Sequence, residues 1–244
     1  MIKFITLKIL KIFDLYYQLK IFKFLKKKNF NEFEFFFDVG AHTGESISLF
    51  RKNFKISNIY SFEASPINFK ILEKNVKKIK RKYKNTKFFI ENYALGNENN
   101  KIIMKQVNES SSSTINKINT NSKYFKKKSL FFKWNKENFF SEIEINQITL
   151  NDYIKRHAIP KIDFIKIDTE GWELNVIKGL EDQLHKTSLI MFEHTYNNMI
   201  VKDYKFRDIH KFLKQNNFSQ IYKYKMAFRK TFEYIYKRDK SLEN

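Results

Sequence analysis

Four acidic side chains each follow a short apolar run, and each is followed by turn residues. They are Asp38 after FFF, Glu63 after NIYSF, Asp168 after FIKI and Glu193 after LIMF. Apolar runs of this length, bounded by turn signals, read as buried strands. Polar groups at successive strand ends are where open α/β sheets build their sites. After Asp38 the chain turns through Gly40, His42 and Gly44. Glycine permits that turn and a close approach of backbone to a ligand. The spacing is GxxxG and not the GxGxxG of a dinucleotide fingerprint. Glu63 follows Asp38 at roughly the 20-residue interval of an acid that holds a ribose hydroxyl pair. A carboxylate has the acceptor capacity to take both hydroxyls. The first two acids therefore suit a nucleotide-type cofactor.

The last two suit the chemistry of an acceptor. Asp168 and Glu170 stand beside Gly171, and Glu193 is followed by His194. Carboxylates and an imidazole are candidate proton acceptors. Glu170 has a second reading, as a cap for the helix that begins near Gly171. A divalent ion bridging Asp168 and Glu193 is an alternative way to activate a hydroxyl. His42 reads as a local hydrogen-bonding group of the turn. His157, His185 and His210 share no ligand spacing.

The elements that must position these groups alternate strand and helix. Strands are expected near Phe35, Ile59, Phe88, Ile162 and Ser188, with smaller ones over 101–107 and 143–148. Ser65 and Pro66 mark a helix start, and Ile67, Ile71, Leu72, Val76 and Ile79 are its expected apolar stripe. Gly179 is placed to end the helix after Gly171. A helix over 206–215 precedes two closing strands, near 218–223 and 232–237, whose aromatic and β-branched content fits an antiparallel pair.

With the segments in this order, the chain resembles the FkbM family of S-adenosylmethionine-dependent methyltransferases. The resemblance rests on DVGAHTG, FEASP, YALG, SSSST, ITLNDYI, KIDTEGWE and FEH, and spans about residues 35–196. The family usually has Asn at the position of His42 and often Pro at that of Ala64. The resemblance implies a class I methyltransferase fold: a Rossmann-like α/β domain with a mostly parallel seven-stranded sheet and helices on both faces. It implies a cofactor loop at Asp38, Gly40, His42 and Gly44, a ribose acid at Glu63, and an adenine-side segment at Asn92, Tyr93 and Ala94. The expected cofactor is S-adenosyl-L-methionine, with a divalent cation such as Mg2+ as an option. The backbone amides of the glycine turn are expected to receive its carboxylate.

The expected reaction is O-methylation of a hydroxyl on a sugar or lipid-linked glycan. The alternative class is a non-enzymatic or nucleic-acid-binding protein that keeps the fold. Of 244 residues, 47 are Lys or Arg and 26 Asp or Glu, a formal charge of +21. Such an excess draws anionic partners without choosing among them, and no nucleic-acid-reading module is evident. There is no cysteine, which excludes disulfides and thiolate metal sites.

Residues 1–32 form a basic, amphipathic helical extension. Its apolar run is too interrupted to span a bilayer. Its two readings are packing on the catalytic domain and peripheral contact of residues 1–30 with anionic lipid at the inner face of a membrane, the protein being otherwise cytoplasmic. Residues 33–238 are expected to form the methyltransferase domain, with a loop insertion near 108–140 that covers the substrate or packs locally. Residues 239–244 are a short charged tail. The oligomeric state is not legible.

Overall fold

The computed structural model describes residues 2–108, 112–134 and 139–239, with side chains described from residue 12 onward. Ser110 and Ser111 of the serine motif, and the tail beyond Asp239, lie outside the described residues. In chain order the elements are α1 (Ile2–Lys27), β1 (Glu32–Val39), α2 (Glu45–Asn53), β2 (Lys55–Phe62), α3 (Pro66–Lys82), β3 (Lys87–Glu91), β4 (Ala94–Gly96), β5 (Asn100–Val107), β6 (Lys117–Ile118) and α4 (Lys123–Phe132). They continue with β7 (Phe140–Thr149), α5 (Leu150–Arg156), β8 (Ile162–Ile167), α6 (Glu173–Lys178), a 3-10 turn (Glu181–Lys186), β9 (Thr187–Thr195), β10 (Ile200–Val201), α7 (Phe206–Gln215), β11 (Phe218–Lys225) and β12 (Thr231–Arg238).

Seven strands form the central sheet in the order β11-β12-β9-β8-β1-β2-β3. The five from β9 to β3 are parallel; β12 runs antiparallel to both β9 and β11. This is the Rossmann-like arrangement of a class I methyltransferase, in which the chain order reverses beside β1 and opens a crevice at the strand ends.

Side chains alternate between the two sheet faces, and each face has its own core. On one side Phe36, Ile59, Phe164, Met191 and Ile235 pack with α1, α2 and α3. On the other, Phe37, Tyr60, Ile165, Phe192 and Tyr234 pack with α5, α6 and α7. The FFF run of β1 is apolar throughout because both faces are covered. In α3, Leu72 and Val76 are buried, whereas Ile67 and Ile71 are exposed. The predicted stripe is therefore narrower than its apolar residues suggest.

Helix α1 docks on the first face. Ile21, Phe22 and Leu25 are buried, Phe22 packs edge-on to Phe50 with centroids 5.0 Å apart, and Gln18 donates to Glu233 at 3.2 Å. Arg229 of the β11–β12 tip reaches Asp14 at 3.1 Å. Ile12, Tyr16 and Leu19 are exposed, and Leu15 is exposed toward the large cavity. Among the described residues no helix is long and apolar enough to cross a membrane.

Two small sheets flank the main one: β4-β7-β5 and β10-β6. The span 108–140, expected as a loop insertion, contains β6 and the ten-residue α4, which is capped by Ser122 and stopped by Lys133 in the left-handed region. Gly179 ends α6, as its position predicts, and does more. A Cβ there would lie 1.9 Å from the Gly96 carbonyl oxygen, so α6 rests directly on β4. Gly179→Ala is expected to lower stability by roughly 1–3 kcal/mol through overpacking. Urea unfolding would measure it, and an unchanged midpoint would refute this close approach.

Candidate functional site

The turn after β1 is set by three contacts. Gly40 adopts φ +75°, and a Cβ there would overlap the Asp168 carbonyl oxygen at 1.9 Å. Only glycine allows the end of β1 to sit this close to the end of β8. Asp38 is fully buried; one oxygen accepts the Ser46 hydroxyl from the first turn of α2. Its other oxygen lies 3.7 Å from the Lys166 ammonium. Burial raises the Asp38 carboxyl, with Lys166 and Ser46 acting against it. Asp38 thus anchors the turn from beneath and is absent from the cavity wall.

Glu63 closes the turn from β2. It accepts the His42 amide at 2.7 Å on one oxygen. Its other oxygen takes the Ser65 amide at 3.0 Å and the Asn68 side chain at 3.4 Å. Three of its roughly four acceptor sites are used. Asn92 donates to the Glu63 and Ala64 carbonyls at 2.8 and 3.2 Å, so it shapes this wall from behind.

The sequence expectation that the turn's amides are open to a ligand carboxylate needs correction. Gly40 and Ala41 donate to the Phe62 carbonyl, Gly44 to that of Ala41, and His42 to Glu63. The turn spends these donors on β2 and on its own closure.

Gly40, His42, Glu63, Tyr93, Ala94, Asp168, Glu170 and Glu193 all line one cavity of about 1490 Å³. Asp168 and Glu193 meet there because Ile167 of β8 pairs with Phe192 of β9. The next residue on each strand is an acid, so the two carboxyls are neighbours on one face. Glu233 of β12 stands opposite Glu193 in the same row. Burial raises the Glu193 carboxyl well above its usual range, and Asp168, Glu170 and Glu233 push it further.

Lys166 compensates this acidic row. It is 6% exposed, on the buried face of strand β8 beside Phe164, and donates to Asp168 at 3.2 Å. Burial disfavours its charge, but Asp168 and Asp38 outweigh that and hold it above the ordinary lysine range. Lys166 was missed as a site residue. A single lysine inside a buried strand was the available signal, since such a charge needs a counter-ion.

His194 is not brought to the site. Following Glu193 on the same strand, it points to the opposite face and is 3% exposed. It packs among Tyr196, Tyr204 and Phe206. Burial, with a smaller push from Lys202, lowers its pKa to about 3. Glu170 lines the cavity with φ 50°. The residue that closes the loop before α6 is Glu173, which accepts from Thr169, Gly171 and Tyr204. Among the described residues, no group of three or more His, Asp or Glu has the geometry of a metal site.

The cavity fits the adenosyl cofactor that the sequence predicts. The glycine turn at Gly40, the one remaining acceptor site of Glu63 and the Tyr93–Ala94 wall meet at the C-terminal ends of adjoining parallel strands.

The chain matches the family described as the methyltransferase FkbM domain over residues 38–219. A structure of the FkbM methyltransferase of Methylobacillus flagellatus KT aligns with a TM-score of 0.56 at 15% identity, over 84% of this chain and 43% of that one. Magnesium protoporphyrin IX methyltransferase from Synechocystis PCC 6803, solved with bound SAM, aligns with a TM-score of 0.52 at 10% identity, over 93% of this chain and 81% of that one. At these identities the likeness is one of fold, and the chain spans less than half of the Methylobacillus protein. No curated protein matches the chain in sequence.

The buried acidic row makes stability depend on pH. Burial, opposed by Lys166 and reinforced by Asp168, pushes the Glu233 carboxyl up to about 7, from 4.5 when unperturbed. Between those values the folded protein holds a proton that the unfolded chain releases. Stability therefore falls as pH rises through this window. Glu233→Gln removes the titration and keeps an acceptor for Gln18. Relative to wild type it should gain roughly 2–3 kcal/mol between pH 4.5 and 8, at about 1.4 kcal/mol per pH unit. Denaturant melts at both ends of the range test this; a constant difference would place the proton elsewhere.

Proposed function

Because the chain belongs to the FkbM methyltransferase family, we propose that it transfers a methyl group from S-adenosylmethionine to a hydroxyl, on a sugar or a lipid-linked glycan. The observation that carries this reading is the pairing of Asp168 with Glu193 in one cavity with Gly40 and Glu63. A cofactor site and a pair of candidate proton-handling groups share one space. When bound, the cofactor supplies an electrophilic methyl group on its sulfonium.

The chain's own residues do the rest. Glu63 takes a ribose hydroxyl with its remaining acceptor site, and Tyr93 and Ala94 border the base. Asp38, Ser46 and Lys166 hold the turn in shape. Asp168, fixed by Lys166, orients the acceptor hydroxyl. Glu193, the neighbouring carboxyl on the same face, is placed to take its proton. Much of the catalysis is alignment of the acceptor oxygen with the methyl carbon. A divalent ion between Asp168 and Glu193 is the second reading. The Lys166 ammonium already serves Asp168, which favours Glu193 as base, so turnover is expected to survive chelator.

Two measurements check this reading. Calorimetry should detect binding of S-adenosylhomocysteine. Glu63→Ala should weaken it by about 1.5–3 kcal/mol, the worth of a hydrogen bond to a charged group. Unchanged affinity in a folded variant would sink the ribose assignment.

Asp168→Asn and Glu193→Gln should lower methyl transfer to the active acceptor, found by product mass and NMR. The loss should reach about 100-fold, the lower range for acid–base groups, with cofactor affinity little changed. Full turnover in both variants would remove these residues from the mechanism. Cofactor binding with no transfer to any hydroxyl acceptor would favour a non-enzymatic protein that keeps the fold.

A further inference from the structure

The cavity has a second, oppositely charged wall. Helix α4 turns two rows of side chains toward it: Lys123, Lys127 and Phe131, and beside them Tyr124, Lys128 and Phe132. Residues four apart share a helix face, so one row presents two cations and then a ring to the cavity, and the other a ring, a cation and a ring. The β11–β12 tip adds Lys230. Lys123, Lys127 and Lys230 are exposed and make no ion pair among the described residues. Arg229, on the same tip, is already matched by Asp14. Behind the lysines α4 is fixed: Phe125 is buried with Val107, Phe139, Met199 and Ile200. Trp134 is consumed in that support, stacked on Phe132 and Phe139 at 5.6 and 5.5 Å.

The division of charge is informative. The acids Glu63, Asp168, Glu170 and Glu193 stand at or just beyond the ends of the sheet strands, whereas the lysines belong to α4 and the hairpin tip. A cofactor and a neutral hydroxyl would satisfy the first group and leave three ammonium groups lining the cavity with no ion-pair partner among the described residues. The geometry points to an anionic carbohydrate as the acceptor: a sugar whose phosphate or carboxylate meets Lys123, Lys127 and Lys230 while its hydroxyl reaches Asp168 and Glu193. Phe131, in one row with Lys123 and Lys127, offers an apolar face to the ring. This rests on the methyl-transfer reading of the same cavity.

The test uses the full chain saturated with S-adenosylhomocysteine. Binding of a uronic-acid trisaccharide and of a hexose phosphate is compared with that of a neutral trisaccharide and the free hexose. At least one acidic sugar should bind about tenfold tighter than its neutral counterpart, a preference that weakens with added salt. The combined Lys123→Gln, Lys127→Gln and Lys230→Gln variant should lose that preference, and the corresponding Lys→Arg variant should keep it. Cofactor-product affinity should be the same in all three proteins. Equal binding of acidic and neutral sugars overturns the inference, as does a preference that survives in the glutamine variant. So does a lysine-dependent preference for a short RNA or for phosphatidylglycerol vesicles over the acidic sugars. Failure to bind the cofactor product overturns the methyl-transfer reading first, and this inference with it.

Discussion

A single buried ammonium holds the site-bearing edge of this sheet together. Lys166 lies within 3.7 Å of Asp38 and 3.2 Å of Asp168, and its charge also reaches Glu233. Without a cation here, Asp38 would be a buried carboxylate with an oxygen that has no hydrogen-bond partner among the described residues. Such a group is costly unless it is paired or neutralised. With the lysine in place, one cation serves two acids of different duty. Asp38 uses it to anchor the glycine turn through Ser46, and Asp168 uses it to hold a fixed position in the cavity. The two halves of the site, on β1 and β8, are therefore electrostatically one unit. Removing the lysine would leave uncompensated charge, which is why breaking a buried pair costs more than the pair is worth.

Backbone contact reinforces this electrostatic coupling. The Asp168 amide donates to the Val39 carbonyl at 2.9 Å, and the Asp168 carbonyl fills the space beside Gly40 where a Cβ would sit. The cofactor turn and the candidate catalytic acid are thus in van der Waals contact through main chain. Any side chain at position 40 would shift one relative to the other, and displacements of that size degrade a reaction governed by alignment. On the far side, α1 closes the row: Gln18 meets Glu233, and Asp14 pins Arg229 at the cavity rim. The basic N-terminal segment is in this respect part of the site's wall.

Much of this was legible in the sequence, for identifiable reasons. Buried strands of apolar residues ending in an acid are a local pattern, so β1, β2, β8 and β9 and their terminal acids could be read directly. The closing pair β11 and β12 followed from aromatic and β-branched content. What failed was information that depends on pairing. His194 was grouped with Glu193 because they are adjacent in sequence, yet adjacent strand residues face opposite ways. Once Glu193 is assigned to the face of Asp168, His194 must enter the aromatic core. The roles of Lys166 and Glu233 depend on which strands are neighbours, a fact no single segment contains. The openness of the glycine-turn amides was misjudged because their acceptors, Phe62 and Glu63, come from β2. Helix α4 was hidden for another reason: its mixture of lysines and aromatics has no clean apolar stripe, and only Phe125 and Ser129 are buried.

That lack of a clean stripe follows from where α4 sits. A helix with one face on a core and another on solvent shows a simple periodicity. Here a narrow inner face packs into a small cluster, and a broad outer face turns rings and cations together toward a cavity. Core packing alone would not place lysines in those rows, because each brings a desolvation cost wherever the cavity narrows. Tyr124 and Phe132 are placed by packing on the small cluster and on Trp134, but solvation alone would not place Phe131 beside the lysines. The combination is what a surface carries when its partner is itself amphipathic, with a charge at one position and apolar ring faces at another. The acid-lined strand ends impose the opposite requirement elsewhere on the wall of the same cavity. A ligand that satisfies both must be long enough to span them and polar at each end, which is the shape of a charged sugar presenting one hydroxyl to the sheet.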